Sequence, residues 1–161
     1  MVAPCQVDIR ELIDFAHGSD RITFTTRFPH LFLVVAGHDK ELPVSFKTEV
    51  ISVRPAKQAS IDEVLPIIKA VGNPYPERIA LGRARNCDIV LRDRSVSKLH
   101  AHFRVESQGM LLVDLESSNG TYINGQLLKP NQPSPVLIGD SLHFGKVRTE
   151  LLDAHELFKR L

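Results

Sequence analysis

The stretch LGRARNCDIVLRDRSVSKLHAHFRVESQGMLLVDLESSNGTYING, residues 81–125, decides the fold. It sets three polar islands between apolar runs of strand length. Gly82-Arg83 follows Arg78-Ile79-Ala80-Leu81, and Ser95-Val96-Ser97-Lys98-Leu99-His100 precedes Ala101-His102-Phe103-Arg104-Val105. Ser117-Ser118-Asn119-Gly120-Thr121 follows Met110-Leu111-Leu112-Val113-Asp114-Leu115, and a second Asn-Gly stands at Asn124-Gly125. Many short strands broken by Gly, Asn, Asp and Pro argue for a sandwich rather than a parallel sheet. Loops of a sandwich gather at its ends. Small hydroxyl and amide residues there, with one Arg and one Lys, can build a site for an anion.

Outward from this stretch, strands are expected at 78–82, 88–91, 101–107, 110–115, 121–123, 135–138, 141–144 and 147–151. Asp153 is placed to cap a last helix over 154–161, with Leu157, Phe158 and Leu161 facing inward. Toward the N-terminus, Val7, Ile9, Leu12, Ile13 and Phe15 suit a short amphipathic helix that Gly18 stops. Arg21-Ile22-Thr23-Phe24-Thr25 alternates and reads as a strand, and residues 30–37 have the pattern of a buried strand. A turn over 38–43 leads to a second alternating run at 44–53. Residues 56–72 read as a helix with a Ser60/Glu63 capping box and a stripe of Ile61, Val64, Leu65, Ile68 and Val71, interrupted by Pro66. Asn73-Pro74-Tyr75-Pro76 reads as an extended connector.

The chain has 161 residues, 43% apolar and 24% charged, which suits one soluble domain with a substantial core. The net charge of +1 gives no global field toward nucleic acid or an anionic membrane, so any anion site is local. Cys5 and Cys87 match no metal or disulfide framework and read as reduced thiols. The N-terminus lacks a basic stretch followed by an apolar one, and the apolar run at 31–37 is too short to span a bilayer. A cytoplasmic location is the expectation.

With these residues in place, the chain resembles a forkhead-associated (FHA) domain, a β-sandwich that binds phosphothreonine peptides. The resemblance runs from Arg78 to Gly145 through Gly82-Arg83, Asp88-Ile89-Val90-Leu91, Asp93, Val96-Ser97 and His100-Ala101. It continues through Asp114-Leu115, Ser118-Asn119-Gly120-Thr121, Ile123-Asn124-Gly125, Gly139-Asp140 and Phe144-Gly145, in the family's order. The resemblance implies a mainly β, FHA-like sandwich (SMAD/FHA type). An N-terminal helix, an inserted or appended strand-helix segment and a short C-terminal helix surround it. The family's first strand normally lies a short loop ahead of the Gly-Arg, whereas the best candidate here is 31–35, some forty-odd residues earlier. The expected division of the single domain is an N-terminal appendage at 1–30 and first strands at 31–53. A helical insertion and connector follow at 54–77, then the FHA core at 78–151 and a helix at 152–161.

A phosphothreonine brings roughly two negative charges and three acceptor oxygens. Arg83 suits it with a permanent charge and a planar fork that engages two oxygens; otherwise it is a surface Arg or pairs with Asp88 or Asp93. Ser97 can donate its hydroxyl, and by the resemblance Lys98 gives a second phosphate contact. Ser118 and Asn119 match positions that hold the phosphothreonine residue and the peptide backbone, although Asn119-Gly120 is also a plain turn signal. Gly82, His100, Gly120, Asn124 and Gly125 are expected to support the loops, with His100 packed beneath them. Ser95 and the residues near Asn124 are the weaker guides to sequence preference.

No cofactor is expected and no metal: His100 and His102 lie two apart, but no third ligand sits at a telling spacing. Ser95-Val96-Ser97-Lys98 fits a Ser-x-x-Lys string without its partner motifs, and Ser97, His100 and Asp93 lack a nucleophile elbow, so no enzyme is expected. The stretch 83–104 is locally basic but lacks the aromatic interleaving of a nucleic-acid binder. The expected partner is a phosphothreonine-containing protein, a Ser/Thr kinase or its substrate, with no nucleic acid and no membrane. Two alternatives stand beside it: an FHA-fold scaffold without phosphate dependence, and a nucleic-acid-binding module. The sequence sets no oligomeric state.

Overall fold

The computed structural model describes residues 7–36 and 61–161. Its central feature is a strand whose sequence leaves no polar face. β1 (Leu31–Ala36) reads LFLVVA, and it is buried on both sides. Leu33 points into the core between two sheets, while Phe32 and Val34 point into a second core under the helices. Strand side chains alternate between faces, so a continuous apolar run fits only a strand covered twice.

β1 lies inside a six-stranded sheet ordered β2-β1-β11-β10-β7-β8. Its members besides β1 are β2 (Ile61–Pro66), β7 (Thr121–Ile123), β8 (Gln126–Leu127), β10 (Ser141–Phe144) and β11 (Val147–Asp153). The facing five-stranded sheet runs β4-β3-β5-β6-β9. It comprises β3 (Arg78–Gly82), β4 (Ile89–Val90), β5 (Ala101–Glu106), β6 (Gly109–Asp114) and β9 (Ser134–Val136). Leu81, Ala101, Phe103, Leu112, Leu142 and Phe144 fill the space between the sheets with no exposed surface.

The strands expected from residue 78 onward are present, with ends shifted by one or two residues and one addition. The addition is β8, two residues long, paired with β7 across Asn124-Gly125. Asn124 and Gly125 have φ of 49° and 81°, the left-handed pair that a tight two-residue hairpin demands.

α1 (Ile9–Gly18) forms where the amphipathic pattern places it. Residues 21–25 do not form the expected strand. They belong to α2 (Arg21–Arg27), capped by Asp20, whose side chain accepts the Thr23 amide. The Ile22/Phe24 alternation misleads because Ile22 faces solvent. The true partner of Phe24 is Phe28, one helical turn on, with ring centroids 5.0 Å apart. α3 (Ala154–Phe158) is capped by Asp153, and Leu157 is fully buried while Phe158 and Leu161 are half-buried. Arg160 holds both carboxylate oxygens of Glu150 at 2.6 and 2.7 Å, fastening the chain end to β11.

The helix expected over 56–72 is also corrected: residues 61–66 are strand β2, paired antiparallel to β1. Pro66 would remove a backbone bond from a helix interior, at about 3 kcal/mol, but it is tolerated at the end of an edge strand. The unpaired edge of β1 supplies the gain, since Val64 and Leu65 are buried on its two faces and the Ile67 amide donates to the Leu31 carbonyl. Glu63, the other half of the expected capping box, lies in β2 opposite Val35, while Ser60, the turn at 38–43 and the strand at 44–53 lie outside the described residues.

Candidate functional site

The loops after β3, before β5 and before β7 meet at one end of the sandwich. The first contact is made by Arg83, whose amide donates to the Ser97 carbonyl at 2.9 Å and whose Nε donates to the Val96 carbonyl at 3.0 Å. One face of the guanidinium is thereby oriented. Its terminal nitrogens form no ion pair among the described residues, and the side chain is exposed. Asp88, one alternative partner, is engaged elsewhere: it accepts from the amides of Ala70 and Ala80 and from the Asn73 side chain.

Ser97 is the junction of the second and third loops. Its hydroxyl oxygen accepts the Ser118 amide at 3.0 Å, leaving its own hydrogen to be donated. Asn119 Nδ2 donates to the Ser95 carbonyl at 2.8 Å. The Asn119 amide thus braces the loops inward rather than projecting its donor to solvent. Lys98 is exposed, and its carbonyl accepts the Ala84 amide at 3.0 Å. Arg83, Ser97 and Ser118 are therefore tied by direct bonds through Ser97, Asn119 is tied to the same loop through Ser95, and Lys98 lies alongside.

His100 lies beneath them with no solvent exposure. Its Nδ1 accepts the Ser97 amide at 3.0 Å, so the proton sits on Nε2, which donates to the Gly120 carbonyl at 3.1 Å. One neutral imidazole thus clamps two loops. Burial depresses its pKa below the ordinary 6.5, against a smaller opposite pull from the Gly120 carbonyl and Asp114. Gly82 is required by space: a Cβ there would collide with the Lys98 carbonyl. Gly120 has a φ of 82°, and a Cβ there would run into the Leu127 and Tyr122 side chains. Asn124 spans to the next strand, donating to Asp140 and accepting the Ser141 amide.

Three aspartates complete the support. Asp93 accepts both the amide and the hydroxyl of Ser95, whose hydroxyl oxygen also receives the Lys146 amide. Asp114 accepts the Ser117 amide and the hydroxyls of Ser117 and Thr121. Asp88 fixes the connector before β3. Asp93 and Asp114 accept from serines two and three residues on, a local turn pattern, whereas the partners of Asp88 lie 8 to 18 residues away and are chosen by the fold. Among the described residues no group of three or more His, Cys, Asp or Glu gathers as a metal site.

Comparison with known proteins relates part of the chain to a known domain. The FHA domain model matches residues 79–145. An oxoglutarate dehydrogenase inhibitor of Corynebacterium jeikeium is 39% identical over 77 residues, covering 48% of this chain and 51% of that protein. The glycogen accumulation regulator GarA of Mycobacterium tuberculosis is 39% identical over 71 residues, 44% of this chain and 42% of its own length. The chain thus spans about half the length of these curated relatives. A solved structure described as an analysis of phosphothreonine-dependent FHA domain interactions shares the fold. It has a TM-score of 0.51 at 20% identity, covering 76% of this chain and 95% of that one. The polar islands at 82–83, 95–100 and 117–121 fall within the matched segment, and this chain carries a forkhead-associated domain at residues 79–145.

Proposed function

We propose that this chain is a phosphothreonine-dependent interaction module that regulates partner proteins without catalysis. FHA domains are phosphothreonine-binding modules. The observation that carries the reading is the junction at Ser97: its hydroxyl receives Ser118, its carbonyl receives the Arg83 amide, and its amide rests on His100. Such bonds hold a guanidinium and a hydroxyl donor in fixed relation before any ligand arrives, which lowers the ordering cost of binding.

In this reading Arg83 engages two phosphate oxygens, Ser97 donates its free hydrogen, and Lys98 adds a mobile positive charge. Ser118 and Asn119, both exposed residues, receive the peptide. Two or three charge-assisted bonds, each about 1.5–3 kcal/mol, dominate a short-peptide complex. After ordering costs, the expected affinity is about 7–9 kcal/mol, or micromolar and somewhat tighter. The partner is a phosphorylated protein of Ser/Thr-kinase signalling, and the setting is the cytoplasm. The names of the relatives, an enzyme inhibitor and a regulator of glycogen accumulation, support a regulatory role.

Fluorescence anisotropy with matched phosphothreonine and threonine peptides tests this. Wild type should bind only the phosphorylated form, and Arg83→Ala should lose most of that affinity. Equal binding of both peptides, or an Arg83→Ala variant indistinguishable from wild type, removes the assigned pocket. Salt-sensitive binding to unrelated oligonucleotides would favour nucleic acid instead.

A further inference from the structure

The outer face of the five-stranded sheet carries a cleft of about 800 Å³. Ala80 and His102 form part of its lining, the connector 70–75 one wall, and the turn 84–87 with Lys98 and Leu99 another. The connector is not loose. Asp88, its side chain fully buried, holds Ala70 and Asn73, and Lys69 donates to the carbonyls of Tyr75 and Arg78.

Two properties of the cleft are unusual for a bare surface. Val71, Tyr75 and Leu99 are 82%, 63% and 52% exposed, so three large apolar side chains gather around one concavity. Arg78, Arg85 and Lys98 also line it, and none of its lining residues is Asp or Glu. The cleft is therefore greasy and positive together.

It is also continuous with the phosphate loops. Lys98 belongs to both, and Ala84, next to Arg83, lines the cleft while its amide donates to the Lys98 carbonyl. An extended peptide advances about 3.3 Å per residue, so a chain anchored at Arg83 and Ser97 reaches the cleft within a few residues.

We propose that this cleft takes a second segment of the same phosphorylated partner, one carrying large apolar and acidic side chains a few residues from its phosphothreonine. The inference rests on the phosphothreonine reading of the adjacent loops. Apolar side chains seat against Val71, Tyr75 and Leu99, and carboxylates face Arg78 and Arg85. Tethering by the phosphate raises the local concentration of the second segment to about millimolar, so a contact too weak to register alone adds to affinity.

Three labelled peptides with one phosphothreonine test it: one of about seven residues with Ala flanks, and two of about sixteen residues. The long ones add Leu-Asp-Leu-Glu repeats on the N-terminal or the C-terminal side. One long peptide should bind wild type about tenfold more tightly than the short one. A Val71→Asp, Tyr75→Ala double variant should remove that gain and leave the short peptide unaffected. Both side chains are exposed, so the variant keeps its fold, as circular dichroism would verify. Equal binding of all three peptides, or a gain that survives the double variant, overturns the cleft proposal. Either result leaves the phosphothreonine reading intact, which fails separately if Arg83→Ala binds the short peptide as wild type does.

Discussion

The hydroxyl of Ser97 and the backbone amide of Ser118 meet at 3.0 Å, although the two residues come from different sheets' loops. The bond joins the segment entering β5 to the segment entering β7 and leaves the serine with a hydrogen to give. A single oxygen thereby acts as structural acceptor and candidate ligand donor.

Ser97→Ala removes both roles. The exposed Ser118 amide can turn to water, so the stability loss should stay near 1 kcal/mol in urea denaturation. Phosphopeptide affinity should fall about ten- to a hundredfold, the worth of one hydrogen bond to a charged group. A variant with wild-type affinity would exclude Ser97 from the site.

Gly82→Ala tests the packing of Arg83's neighbour against the second loop. Gly82 needs no special backbone angle; its constraint is the Lys98 carbonyl lying where a Cβ would go. Either strand β3 or the loop must move. We expect a destabilisation of about 1–3 kcal/mol by overpacking, together with weakened phosphopeptide binding. Crystallography or amide chemical shifts would show the displacement centred on 97–99.

Acid should loosen the same loops. Burial lowers the pKa of His100 below 6.5, and His102 and His143 are shifted the same way, His102 by burial with Arg78 and Arg104 beside it and His143 by burial with Arg148. A depressed histidine pKa means the unfolded chain binds more protons than the folded one just below 6.5. Stability is therefore complete above about pH 6.5 and declines as pH falls, by at most about 1.4 kcal/mol per pH unit for each group. A His102→Asn, His143→Asn variant should retain a shallower decline that belongs to His100. Urea midpoints measured between pH 7.5 and about 5 provide the check, and a flat profile in that variant would contradict the neutral clamp.

Asp88 is the buried anchor of the connector. Its carboxylate accepts from Ala70 at 2.8 Å, Asn73 at 2.5 Å and Ala80 at 2.6 Å, with Lys69 at 3.6 Å. Asp88→Ala strands those donors and should cost about 3–5 kcal/mol, the penalty for breaking a buried charged network. Thermal melting measures the loss. Limited proteolysis should find new cleavage at 70–76, where the wall of the cleft is released.

The sequence alone determined the sandwich from residue 78 onward, because alternation and turn chemistry are local properties. Gly82, Asn124-Gly125 and the apolar runs around them mark strand ends wherever they occur. It also marked Arg83, Ser97, Lys98, Ser118 and Asn119 as a candidate set. Tertiary structure decided the rest. Residues 21–27 are helical and 61–66 extended because Phe24 finds Phe28 and Phe158, and because β1 offers an edge. Local propensities differ by a few tenths of a kcal/mol per residue, whereas burying one large side chain contributes about 1.5–3 kcal/mol. The inward turn of Asn119 and the acceptor role of Asp88 follow the same rule. Hydrogen-bond partners far apart in the chain are chosen by the packing that makes them neighbours.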